Sequence, residues 1–171
     1  IQARCPQADG FVGVSGYEDI AQVIAQALED QHPAHFGDID APVPETDRVV
    51  CTSDYWAWLR IAEGCDNRCA YCIIPFIRGK FRSRPEEAIL AEAQDLAQAG
   101  MQELIVVAQD ITRYGLDLYG ERTLAKLLPK LCAIEGIHWV RLHYLYPDEI
   151  TDELIDVIAN EPKIVKYLDI P

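Results

Sequence analysis

The segment Gly64-Cys65-Asp66-Asn67-Arg68-Cys69-Ala70-Tyr71-Cys72 places three thiols within eight residues, at Cys-x-x-x-Cys-x-x-Cys spacing. Crowded thiolates are soft ligands, so the first question is which metal they suit. A structural zinc site closes with four ligands, usually as two separated pairs, and no further Cys or His stands at ligand spacing nearby. Buried, unreactive thiols suit an apolar helix face better than a loop carrying Gly64 and Asn67. Three thiolates fit a cubane 4Fe-4S cluster in which three irons are protein-bound and one stays open to a small molecule. A ferredoxin-like electron carrier would hold a cluster too, but normally through a fourth cysteine. The remaining thiols, Cys5, Cys51 and Cys132, are scattered along the chain.

Such a loop needs a scaffold, and 171 residues supply about one domain's worth. A chain this long buries roughly 70% of the surface its unfolded form exposes, so it needs no disulfide framework. Half the residues are hydrophobic and a quarter charged, the balance of a globular protein. No apolar run approaches the roughly 20 residues of a membrane helix, and no stretch reads as a secretory signal. Clustered thiols without that signal point to metal and to a reducing cytoplasm. Ile1 in place of Met, and Pro171 directly after Tyr167-Leu168-Asp169-Ile170, read as cut ends. The chain is expected to be a piece of a longer protein.

Charge is uneven. Residues 1–60 carry ten acids and three bases, residues 61–84 two acids and five bases, and residues 85–171 sixteen acids and seven bases. An acidic chain with one short basic island lacks the broad basic face of a nucleic-acid binder. The island adjoins the cysteines. Within it Arg78, Lys80, Arg82 and Arg84 alternate with Gly79, Phe81 and Ser83, which in an extended segment points all four bases one way. They read either as a solvated face or as a rim for an acidic partner or a carboxylate, which arginine grips with two hydrogen bonds.

Around the loop, strand and helix signals alternate. Ile20, Val23, Ile24, Ala27 and Leu28 give an amphipathic helix over about 17–29, after a short strand at 11–14. Pro33, Pro42 and Pro44 punctuate a stretch without apolar period, the best boundary in the chain. Residues 55–62 read as a strand running into the cysteine loop. Ser83-Arg84-Pro85-Glu86 fits a capping box with Ser83 as N-cap, followed by a helix through Ile89, Ala93 and Leu96 that Gly100 ends. Leu104–Ala108 is a continuous apolar run of the kind a parallel sheet buries on both faces. Leu124 to Leu131 make the next helix, with a kink expected at Pro129. Strands at 138–145 and 164–169 flank a helix carrying Leu154 and Ile158. The class is α/β with right-handed crossovers, either an open sheet or part of a barrel.

The cysteine spacing after a strand, with Tyr71 before the third thiol, resembles the radical S-adenosylmethionine (SAM) superfamily. Glu63-Gly64-Cys65, Ile74-Pro75, Ile77-Arg78-Gly79-Lys80 and Ser83-Arg84-Pro85 resemble its methylthiotransferase branch. Ala108-Gln109-Asp110, Arg113-Tyr114-Gly115 and Asp117-Leu118-Tyr119-Gly120 are similar to the RimO-type family, which methylthiolates an aspartate of ribosomal protein uS12. The sister MiaB-type branch, acting on an adenosine in tRNA, typically has Gln-Asn-Val where Gln109-Asp110-Ile111 stands. Ile111, where threonine is usual, and Pro129 depart from the pattern.

The resemblance implies a partial (β/α) radical-SAM barrel, truncated on its C-terminal side and preceded by the tail of an N-terminal α/β domain. Residues 1–30 are then that tail, 31–50 a linker and 51–171 the first part of the radical SAM domain. It implies Cys65, Cys69 and Cys72 as ligands of a 4Fe-4S cluster whose open iron chelates SAM. Reductive cleavage of SAM, with an electron from a separate donor, would give the radical that attacks the aspartate side chain. Sulfur would come from a second 4Fe-4S cluster in the missing N-terminal domain, so this piece alone is expected to be inactive. Tyr71 would lie against the adenine, with loop packing as the alternative. Gln109 would sit near the amino-acid end of SAM, with a polar strand cap as the alternative. Arg78, Lys80 and Arg82 would face the substrate. Cys5 matches no family ligand, Cys132 reads as core, and His138 and His143 as core or hydrogen-bonded strand histidines.

Overall fold

The computed structural model describes residues 2–45, 48–51 and 54–170. Both expected cut ends, Ile1 and Pro171, lie outside the described residues, as do Thr46 and Asp47 of the expected linker.

The chain opens with β1 (Phe11–Val12), a 3-10 turn at Tyr17–Asp19 and α1 (Ile20–Leu28). The next strand, β2 (Ala34–His35), pairs in parallel with β1, so the stretch expected to be linker begins with a strand. Pro33 does not prevent this. Its carbonyl accepts from Phe11 N at 2.9 Å, and a ladder needs no N–H from that side. The apolar face of α1 is covered only at Val23; Ile20, Ile24 and Leu28 are exposed.

The main sheet starts with β3 (Trp56–Arg60), followed by the short β4 (Ala62–Glu63). After the cysteine loop come α2 (Ile74–Arg78), β5 (Arg82–Ser83) and α3 (Glu86–Gln98). Then follow β6 (Glu103–Val107), α4 (Leu116–Tyr119), α5 (Leu124–Cys132), β7 (Trp139–Leu142), α6 (Asp152–Asn160) and β8 (Ile164–Leu168). The four long strands pair in parallel in the order β3-β6-β7-β8, which is also their order in the chain. An open doubly wound sheet reverses direction at a switch point; this one does not. Consecutive parallel order with α3, α5 and α6 packed as successive neighbours is an arc of a (β/α) barrel. Ala57, Leu59, Leu104, Val106, Val140 and Leu142 meet Ile89, Ala93, Leu127, Leu131 and Leu154 in one core.

One local expectation changes. Ser83 is not an N-cap. It lies in β5, where its N–H and Oγ both reach the Asp117 carboxylate, at 2.8 and 2.6 Å, and Pro85 caps α3 instead. A carboxylate in α4 outcompetes the local backbone for that hydroxyl. Pro129 lies inside α5, which runs to Cys132, and withholds the donor that would bond the Ala125 carbonyl. The C-terminus of α3 is as expected. Gly100 adopts φ +97° and Met101 N donates to Leu96 O at 3.0 Å, a Schellman closure.

Candidate functional site

The cysteine loop is an excursion from the end of the first barrel strand, pinned at its base. β4 and β5 pair antiparallel, Ala62 with Ser83 and Glu63 with Arg82, so residues 64–81 leave and return at one point. Gly64 starts the excursion at φ +78°, where a Cβ would overlap the carbonyl oxygen of Lys80. Only glycine meets both demands. Cys65 N then donates to Gly79 O at 3.2 Å, and Cys72 N to Cys69 O at 2.9 Å.

All three thiols line one cleft of about 440 Å³, with Tyr71, Arg78, Gln109 and Tyr146 among its walls. The cleft opens beyond the carboxyl ends of β3 and β6, where barrel enzymes keep their chemistry. Each thiol is free. Burial pushes the Cys65 thiol up, and Asp110, Cys69 and Cys72 add to it, against a hydrogen bond from Asn67. A trio of ionised sulfurs here therefore calls for a bound cation. Among the described residues no three His, Cys, Asp or Glu side chains close on one point as a single ion's ligands do. An iron–sulfur cluster takes soft thiolate donors, one on each iron, which is the donor type these three cysteines offer.

The other expected site residues divide. Gln109 lines the cleft, and among the described residues its buried Oε1 finds no hydrogen-bond partner. Tyr71 stands at the mouth, 92% exposed. Arg78 lines the cleft and pairs with Glu63 at 3.2 Å, whose other oxygen takes Arg60 at 3.0 Å. Lys80 and Arg82 are not in the cleft wall. Arg82 folds back onto the carbonyls of Lys80 and Arg78, at 2.6 and 3.1 Å. Arg84, 6% exposed, is held by Glu45, Glu92 (2.6 Å) and the Arg60 carbonyl (2.6 Å). The four bases do not share a side, because Gly79 at φ +73° breaks the extended run and the carboxylates of Glu45 and Glu92 claim Arg84.

Sequence reading assigned no role to Asn67, Asp110 or Tyr146, which also shape the cleft. Asn67 Nδ2 donates to Asp110 Oδ2 at 2.9 Å, and Tyr146 Oη lies 3.7 Å from Cys69 Sγ. Contact with Cys69 favours the neutral phenol and raises the Tyr146 pKa. Asn67 was legible as a polar residue inside the motif; Tyr146, 77 residues from Cys69, carried no local signal. His143 packs edge-on against Trp58 with ring centroids 5.4 Å apart, away from any ligand role.

The chain is 49% identical, over 172 residues, to a protein of Lachnoclostridium phytofermentans named ribosomal protein uS12 methylthiotransferase RimO. The match covers 100% of this chain and 39% of that protein. A protein of the same name from Acetivibrio thermocellus is 49% identical over 174 residues, covering 97% of this chain and 38% of its own length. The chain thus spans well under half of these relatives. Among solved structures, the radical S-adenosylmethionine methyltransferase TsrM from Kitasatospora setae, with cobalamin and a [4Fe-4S] cluster bound, superposes with a TM-score of 0.50. It is 17% identical, over 64% of this chain and 21% of its own, and so speaks to fold alone. The sequence profile described as the Radical SAM superfamily matches residues 59–171, from β3 through the cysteine loop to the end. With that match laid over this barrel arc and its three-thiol loop, the chain belongs to the radical SAM superfamily.

Proposed function

We propose that the complete protein is a radical SAM transferase that methylthiolates an aspartate of ribosomal protein uS12. The observation that carries this is the likeness, along the whole of this chain, to enzymes of that name, on a chain whose three motif thiols line one cleft. Cys65, Cys69 and Cys72 are the ligands. A 4Fe-4S cluster bound there would leave one iron open to SAM and supply the electron for its reductive cleavage to a carbon radical.

The chain's own part is to bind, orient and exclude. Gln109 offers an unpaired, buried acceptor at the cleft wall, suited to the amino group of SAM. Tyr71, exposed at the mouth, supplies an apolar ring for the adenine. Arg78, its charge shared with Glu63, is the one base of the residue 78–84 run that lines the cleft and can meet a carboxylate there. The N-terminal residues, through β2 and its pairing with β1, belong to a preceding domain that carries the second cluster and the sulfur, with the stretch from there to residue 50 the connection and 51–171 the barrel arc. The protein works in the cytoplasm, with uS12 and an electron donor as partners. Among the described residues no helix is long and apolar enough to cross a membrane.

The test is to load the complete protein anaerobically with iron and sulfide, and incubate it with SAM, reductant, uS12 and tRNA. The peptide bearing the target aspartate is then weighed. A gain of sulfur plus methyl is expected; an unchanged peptide alongside a modified tRNA adenosine would overturn the substrate assignment.

A further inference from the structure

We propose that Asp110 is the positioning residue of the cysteine loop, acting through Asn67, and that with asparagine at 67 the position works only as a carboxylate. This rests on the iron–sulfur reading above, because the loop's placement matters through what its thiols hold.

Asp110 follows β6 and is 1% exposed, yet both oxygens of its carboxylate are used. Oδ1 accepts from Thr112 N at 3.0 Å and from the Thr112 hydroxyl; Oδ2 accepts from Asn67 Nδ2 at 2.9 Å. Asn67 lies between Cys65 and Cys69 and is used twice more. Its Oδ1 accepts from Arg113 at 3.1 Å, and its backbone N–H points to Cys65 Sγ at 3.5 Å. The exit of the second barrel strand is thereby tied to the middle of the cysteine loop.

The direction of each bond is fixed. Arg113 only donates, so the oxygen of Asn67 must face it and the amide nitrogen must face residue 110. Both Thr112 groups also donate. Residue 110 must therefore accept on both sides, which a carboxylate does and a carboxamide does not. In D110N, a carboxamide with its oxygen on Thr112 turns a nitrogen toward the nitrogen of Asn67. If Asn67 flips to relieve this, it sets a nitrogen against the Arg113 guanidinium. A buried donor–donor contact remains either way. The converse change, Asn67→Asp, faces one carboxylate with another.

The two exchanged together restore the network with its polarity reversed. The new carboxamide at position 110 would donate to the new carboxylate at position 67, whose other oxygen would take Arg113. Thr112 would keep its acceptor. Net charge is unchanged. That symmetry separates positioning from bulk.

The experiment compares wild type, D110N, N67D and the N67D/D110N exchange in the complete protein. Iron per chain after anaerobic loading, the spin-resonance spectrum of the reduced cluster with and without SAM, and the thermal midpoint are measured. Hydrogen exchange over 65–72 is followed in the metal-free chains. Each single variant is expected to hold less than half the wild-type iron, to lose the SAM-induced spectral change and to exchange faster over 65–72. The double variant is expected to recover all three. Wild-type loading and spectra in D110N, or a double variant no better than the singles, would overturn the inference. A wild type that takes up no iron would instead defeat the iron–sulfur reading, and the exchange data on metal-free chains would still decide the role of Asp110.

Discussion

The hydroxyl of Tyr146 lies 3.7 Å from Sγ of Cys69, joining the loop after β7 to the cysteine loop after β4. Hydrogen bonds to cluster sulfurs stabilise the more negative, reduced state and so raise the reduction potential. Toward Cys69 as a ligated thiolate, which has no proton to give, the Tyr146 hydroxyl is the donor of this contact.

Tyr146→Phe is expected to shift the midpoint potential of the loaded protein to more negative values, without lowering its iron content. A redox titration followed by spin resonance reads both. An unchanged potential would remove Tyr146 from the set of groups that tune the site.

Cys69→Ala should abolish cluster loading, whereas Cys132→Ala should leave it intact and cost about 1 kcal/mol of stability. Full iron retention in Cys69→Ala would be fatal to the ligand assignment. Cys132 also predicts a pH dependence. Burial, with Glu161 next, pushes its thiol up to about 12 from an ordinary value of 9.0. The folded state thus holds this proton more tightly than the unfolded chain. Its contribution is complete below pH 9 and is lost as pH climbs toward 12. The stability gap between wild type and Cys132→Ala should therefore narrow over that range in denaturant titrations.

Gly64 and Gly120 make a matched pair, with φ of +78° and +75°. A Cβ at Gly120 meets nothing within 4 Å, while one at Gly64 overlaps the Lys80 carbonyl. Gly120→Ala should cost about 1 kcal/mol from backbone conformation alone. Gly64→Ala should cost about 3 kcal/mol or more and impair iron uptake. Equal costs in thermal or chemical unfolding would contradict the described loop base.

Arg84→Ala should destabilise the fold by about 2 kcal/mol, since it removes the buried guanidinium from Glu45, Glu92 and the Arg60 carbonyl, while Glu92 keeps Arg48 at 2.9 Å. Lys80→Ala, at an exposed position, should stay within about 0.5 kcal/mol. The two measured side by side test the separation of a buried anchor, Arg84, from a solvated base, Lys80.

Much of the architecture was legible in local pattern. The apolar run of β6, the helical periods of α3 and α6 and the glycine at the end of α3 each express physics that operates within a few residues. The cysteine motif was legible for the same reason: its ligands are neighbours in sequence. What failed was any inference that needed to know a distant partner. Ser83 looked like a cap because Glu86 is close in the chain, but Asp117 is closer in space. The bases of 78–84 looked alike until Glu63, Glu45 and Glu92 sorted them by burial. Gln109 was placed correctly at a strand end, whereas Asp110 beside it entered only as part of a family pattern. Its role depends on a side chain 43 residues away.

The two-pair ladder between β4 and β5 has a consequence for the protein's timescales. Because the excursion of residues 64–81 starts and ends at that clasp, it can open and reclose while β3, β6, β7 and β8 stay paired. Such a unit has its own local unfolding free energy, below that of the whole domain. Damage by oxygen at the thiols would then be confined to a short segment that reanneals without global refolding. Repair could proceed by renewed loading of an otherwise intact chain.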